Sequence, residues 1–178
     1  PDFVAAVEEG MIAAGAEVLR IGRGPTPMLY FSVYHLDADA GLMVTGSHNP
    51  PDHNGFKMMR GPRSPKGGPV YGQAILDLGR RIAAGDFASG SGSAADAPVF
   101  DAYIDRLLRD IDLKRPLKVA WDPGNGATAE TVSAVAARLP GVQRLLNATI
   151  DGTFPNHHPD PTVPANLRQL QDAVTGEG

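Results

Sequence analysis

The sequence contains no cysteine. This excludes a disulfide scaffold, a thiolate zinc site and a cysteine nucleophile, and it is compatible with a reducing compartment. No apolar run approaches the roughly 20 residues of a membrane span. The opening Pro1-Asp2-Phe3-Val4 reads as a helix start and not as a signal peptide. The excess of one charge sign over the other is also small. The formal net charge is −4, which gives no reason to expect nucleic acid or an anionic membrane as partner. What remains is 178 residues, 42% hydrophobic and 20% charged, enough to bury one medium core or two small ones.

Glycine and proline are abundant and fall mostly between periodic segments, as loop punctuation should. Helix-like and strand-like pieces alternate. Apolar spacing predicts a helix over 2–15 closed by Gly15, then a short strand over 16–21. In Gly24-Pro25-Thr26-Pro27, Thr26 can cap a helix that starts at Pro27. Residues 41–45 read as a strand buried on both faces, and 55–59 as another. A turn-rich basic loop over 60–70 precedes a helix over 71–84. Further on come a helix (98–112), a strand (117–121), a helix (126–138), a strand (142–149), a Pro-rich loop and a final helix (165–174). The alternation predicts an α/β fold: two small α/β units with mixed, mostly parallel sheets covered by helices. The units are placed at 1–87 and 98–178, joined by a linker at 88–97 whose Ser89-Gly90-Ser91-Gly92-Ser93 run is flexible in composition.

The stretch richest in chemistry is Thr45-Gly46-Ser47-His48-Asn49-Pro50-Pro51, followed by Asn54-Gly55-Phe56-Lys57. It leaves an apolar strand, exposes a serine, and is stiffened by two prolines before turning into the next strand. The hydrolase elbow does not fit, because it needs glycines two residues before and two after the serine. A phosphate-binding Gly-x-x-x-x-Gly-Lys-Ser/Thr loop is not present either. On composition alone, Ser47 to Pro50 reads first as a polar turn with local backbone bonding and second as a chemical site.

These residues resemble the phosphomannomutase/phosphoglucomutase branch of the α-D-phosphohexomutases. Thr45 to Pro50 is similar to that family's signature loop, and Asn54 to Lys57 to its continuation. Gly24 to Pro27 resembles its upstream turn, and Asp151-Gly152-Thr153-Phe154-Pro155-Asn156-His157-His158-Pro159-Asp160-Pro161 a loop of its second domain. The resemblance implies an enzyme that interconverts hexose 1-phosphates and 6-phosphates, mannose or glucose, through a phosphoserine at Ser47 and a bisphosphorylated sugar. It implies His48 and Lys57 as catalytic partners and Asn49 and Thr26 as substrate contacts. It also implies Mg2+ held in part by the phosphate on Ser47, hexose phosphates as ligands, the remaining domains of the same enzyme as partners, and a cytoplasmic setting. Phosphoryl transfer depends on positioning and charge neutralisation, which a phosphoserine with a divalent ion and nearby donors can meet.

The same resemblance implies that the chain is the front part of a longer protein. The family's first strand would precede Pro1, and its Asp-Gly-Asp-x-Asp-Arg metal loop would follow Gly178. The 178 residues alone are therefore expected to have little or no mutase activity. Phosphoglucosamine mutase is a rival reading, although its loop typically carries Ala where this sequence has Gly46. A noncatalytic sugar-phosphate or nucleotide-binding module is another.

The nucleotide option rests on Gly124-Asn125-Gly126-Ala127-Thr128-Ala129, which follows a strand and opens a helix, with Asp151 about 20–25 residues on. The plain alternative is a tight turn built from small residues for packing. His157-His158 lacks a nearby third ligand and reads as structural or as an interdomain contact. Arg60, Arg63 and Lys66 either guide an anionic substrate or are simply solvated.

Overall fold

The first apolar run folds as helix α1, Asp2–Ala13. Gly15 stops it: at φ +90 it takes a left-handed conformation that side chains resist. Its N–H and that of Ala16 close on the carbonyls of Ile12 and Met11, a Schellman ending. The computed structural model describes residues 2–47, 49 and 52–176. It continues through β1 (Glu17–Arg20), α2 (Thr26–His35), β2 (Ala40–Thr45), β3 (Gly55–Arg60), β4 (Gly68–Pro69), α3 (Gln73–Ala83) and β5 (Ser93–Asp96). Then follow α4 (Phe100–Leu108), β6 (Leu117–Trp121), α5 (Thr128–Ala136), β7 (Gly141–Leu145), a 3-10 turn (Pro164–Leu167) and α6 (Arg168–Thr175).

The fold is α/β with mixed strand directions. β1 pairs with β5 in parallel, and β6 pairs with β7 in parallel. Strands β2, β3 and β4 form an antiparallel sheet. Two compact units result. The first comprises Pro1–Gly22, Thr26–Thr45 and Gly55–Val99; the second comprises Arg23–Pro25, Gly46–Asn54 and Phe100–Gly178.

In the first unit, Leu29 and Val33 of α2 meet Met59 of β3, with Ile21, Tyr30 and Met43 around them. Each such buried side chain contributes about 1.5–3 kcal/mol of transfer free energy. Helix α2 lies so close to β2 that a Cβ at Gly41 would come 2.5 Å from Val33 Cγ2. Strand β2 is half-buried along most of its length, not buried on both faces as its composition predicts, and α2 is the helix packed against it. Helix α3 buries none of its residues.

The stretch expected as a linker at 88–97 includes a strand. Residues 93–96 form β5, in register with β1 from Glu17↔Ser93 to Arg20↔Asp96. The glycines before it serve close approach and not slack: a Cβ at Gly90 would lie 2.8 Å from the Gly15 Cα. Gly90 N donates to Ala13 O at 2.8 Å and Gly92 N to Ile12 O at 2.9 Å. The run thereby satisfies the Ala13 carbonyl and adds a second donor to that of Ile12 at the end of α1. Arg20 ties the edges together with a two-pronged contact to Glu8, at 2.6 and 2.8 Å, and a 3.2 Å contact to Asp96.

The second unit sets α4, α5 and α6 around the β6–β7 pair, with Tyr103, Ile104, Ala129, Val135, Ala136 and Ala173 buried. Ala129 is fully buried and small, which lets α5 approach closely.

Candidate active site

Strand β2 ends at Thr45 and β3 begins at Gly55, and these two residues are register partners. The loop 46–54 is therefore closed at its base. Gly46 opens it with no room for a side chain, since a Cβ there would sit 2.7 Å from the His53 carbonyl oxygen. Ser47 follows at φ +53, a left-handed conformation uncommon outside glycine. The Asn49 N–H returns to the Gly46 carbonyl at 3.0 Å, so Ser47 lies inside a tight turn. Both Ser47 and Asn49 are exposed. An unusual backbone conformation costs on the order of 1–3 kcal/mol and persists where its surroundings enforce it. Here the enforcing parts are the Gly46–His53 approach and the returning Asn49 N–H. His48, expected as a catalytic partner, lies outside the described residues. Farther round the loop, His53 Nδ1 and Asp52 Oδ1 form an exposed pair at 3.0 Å.

In the first unit, two predicted site residues meet although they lie 31 positions apart. The Lys57 ammonium donates to Thr26 Oγ1 at 3.0 Å, and that hydroxyl donates onward to Met43 Sδ at 3.8 Å. Met43 and Lys57 are register partners on β2 and β3, and Thr26 is the first residue of α2. The start of one helix and two strands thus fix the lysine in a half-buried position. Arg63 of the basic loop lies 3.5 and 3.6 Å from the exposed carboxylates of Asp37 and Asp39. His35 stacks on Phe31 with ring centroids 4.9 Å apart.

The turn after β6 in the second unit carries a polar cluster. Asp122 Oδ1 accepts from the Gly124 N–H and from Asn147 Nδ2, each at 2.9 Å. Its Oδ2 lies 2.9 Å from His157 Nε2. Asn125 is 4% exposed and sits at φ +58. It donates through Nδ2 to Thr149 O and accepts from Asn156 Nδ2, both at 2.8 Å. Its backbone pairs with Asn147 O and with the Asp151 N–H.

The dinucleotide reading has little room here, because His157 and Pro159 lie over Gly124. Asp151, the acidic residue that a ribose would need, accepts from both the N–H and the hydroxyl of Thr153, at 2.9 and 2.7 Å. Those two donors hold its carboxyl below the usual range. Asp122, which stands just before the Gly124-Asn125-Gly126 turn, is the partner of His157, a bond across 35 positions that no local spacing reports.

Among the described residues, no three His, Asp or Glu side chains converge as a metal-binding group. The residues present therefore do not fit Mg2+ as a complete site. Among the described residues, no helix is long and apolar enough to cross a membrane.

An α/β architecture with a serine raised on a constrained turn defines a class, and comparison with known proteins narrows it. Residues 1–87 match the family model "Phosphoglucomutase/phosphomannomutase, alpha/beta/alpha domain I", and residues 101–178 match domain II of the same family. The chain belongs to the phosphoglucomutase/phosphomannomutase family. A phosphoglucomutase of Neisseria gonorrhoeae is 38% identical over 98% of this chain and 37% of its own length. A phosphomannomutase/phosphoglucomutase of Pseudomonas aeruginosa is 37% identical over 99% of this chain and 37% of its own. The crystal structure of a phosphoglucomutase/phosphomannomutase family protein from Burkholderia thailandensis superposes with a TM-score of 0.89 at 39% identity, covering 99% of this chain and 39% of that one. The chain thus spans little more than a third of the length of these relatives.

Proposed function

We propose that this chain carries the phosphoserine of a phosphohexomutase that exchanges phosphate between positions 1 and 6 of mannose or glucose. Phosphorylated Ser47 gives its phosphoryl group to the free hydroxyl of a hexose monophosphate. The new bond forms at the sugar oxygen, the bond to Ser47 Oγ breaks, and the hydroxyl proton passes to a neighbouring base. The bisphosphorylated sugar then returns its other phosphoryl group to Ser47 Oγ, which restores the enzyme. The observation that carries this reading is Ser47 itself, exposed at φ +53 on a loop closed at its base.

In this reading Lys57 supplies positive charge and takes part in proton transfer. Thr26 holds the ammonium at 3.0 Å, while Asn49 and His48 contact phosphate or sugar oxygens. Mg2+ would neutralise the phosphoserine, with its carboxylate ligands supplied by a longer form of the protein; no step above is routed through it. Cytoplasmic action, hexose phosphate substrates and partnership with further domains of the same enzyme belong to the same proposal. Phosphoglucosamine mutase is the less favoured rival. Its usual alanine would place a Cβ at position 46 within 2.7 Å of the His53 carbonyl oxygen.

The test is mass spectrometry and kinetics on the full-length protein. Phosphate should be found on Ser47, and Ser47→Ala should abolish turnover of mannose 1-phosphate and glucose 1-phosphate. Full activity in the alanine variant would refute the proposal.

A further inference from the structure

We infer that His157 is held as an imidazolium that locks the loop 147–160 onto the Asp122–Gly126 turn, and that the lock loosens when the ring loses its second proton. Both ring nitrogens face oxygens that can only accept. Nε2 lies 2.9 Å from Asp122 Oδ2, and Nδ1 lies 2.9 Å from the His158 carbonyl oxygen. A neutral imidazole has one N–H and one lone pair, so it would set a lone pair against one of these oxygens. Only the doubly protonated ring donates to both.

The surroundings favour that state. The Asp122 side chain is 5% exposed and that of His157 is 17% exposed, so solvent screens the pair weakly. The His158 carbonyl raises the proton affinity of the ring, burial opposes it, and Asp122 adds to the rise. The other charged groups nearby line a cleft of about 700 Å³: Arg144 after β6 on β7, and Arg168 and Asp172 on α6. On the loop itself, His158 and Asp160 are the next titratable residues in sequence. The two arginines disfavour a third positive charge and Asp172 favours it, but the two acceptors bound to the ring decide the outcome.

The lock has a defined mechanical partner. The same loop is tied to the turn by Asn156 Nδ2 to Asn125 Oδ1, Asn125 Nδ2 to Thr149 O, and Asp151 N to Asn125 O. His157 and its partner Asp122, which also accepts from Asn147 Nδ2, are the titratable side chains among these ties. The sign follows: with the ring's folded proton affinity raised, the contribution is complete below the ordinary histidine value. It is lost as pH climbs through the folded value.

The experiment is a pH titration of the histidine ring nitrogens by 15N NMR on the full-length protein, with the His157 ring assigned by through-bond correlation to its own backbone and checked with His157→Gln. Below the ordinary value of about 6.5 both nitrogens should be protonated, and the transition should lie above it. Amide hydrogen exchange at Asn125 and Asp151, corrected for base catalysis, should lose about tenfold in protection across that transition. Asp122→Asn should move the transition back toward the ordinary value. The wild-type titration and exchange suffice if either variant fails to fold. A transition at or below the ordinary value overturns the inference. So does a raised transition that leaves the exchange unchanged.

Discussion

The ammonium of Lys57 on β3 donates to the hydroxyl of Thr26 at the start of α2, 31 residues earlier, at 3.0 Å. This pairing leads to the first prediction. On the proposed function, Lys57→Ala in the full-length protein should lower kcat about a hundredfold or more. Thr26→Val, which removes the acceptor but keeps the shape, should cost about tenfold. Thr26→Ser should retain most of the activity. Steady-state kinetics with each variant decides, and a Thr26→Val enzyme indistinguishable from wild type would show that the contact has no part in turnover.

Gly46→Ala is expected to disturb the serine turn. The added methyl meets a backbone oxygen at 2.7 Å, not the flexible end of a side chain, so the loop must shift. A stability loss of about 1–3 kcal/mol, read by urea unfolding, should accompany a fall in the rate of phosphate incorporation at Ser47.

Gly90→Ala gives a test by sign. Were 88–97 a slack linker, alanine would stabilise the protein by about 0.4–1 kcal/mol through the unfolded chain. The approach of Gly90 to the Gly15 Cα, 2.8 Å from a built Cβ, predicts destabilisation instead. Thermal unfolding should therefore show a lower Tm.

Asn125→Asp keeps the size of the side chain but removes the donor to Thr149 O and sets an oxygen toward it. At 4% exposure the unpaired carbonyl should cost about 1–3 kcal/mol, measured by chemical denaturation. Asn125→Ala should cost at least as much, because it also strands Asn156 Nδ2.

Thr153→Val tests the acid side. Its hydroxyl is the leading cause of the low proton affinity of Asp151, so the variant should titrate nearer the ordinary carboxylate value by NMR. A group with a lowered folded pKa lends stability above its unfolded pKa and loses it as pH falls through the folded one. The variant should therefore show a flatter acid limb.

Much of the architecture was legible because periodicity and punctuation agreed. Strand β6 falls at Leu117–Trp121 as expected, and Gly15 ends α1 through its left-handed conformation. β5 escaped notice because Ser93-Ala94-Ala95-Asp96 has no strand composition. Its pairing with β1 is a tertiary choice, and glycines that look like slack in sequence were needed for contact. The serine loop was legible through its spacing and its family resemblance, and the Thr26–Lys57 contact was not, since no local pattern reports a bond across 31 positions. His157 was visible as a residue but not as the partner of Asp122, 35 positions away.

The parallel pairing of β1 with β5 bears on how this protein can be divided. A cut after residue 87, where the first family match ends, would remove Ser93–Asp96 and leave Glu17–Arg20 without its neighbour. The severed piece would expose bare main-chain donors and acceptors that invite other chains to pair. Such a piece should self-associate, whereas one extended past Asp96 keeps that edge covered.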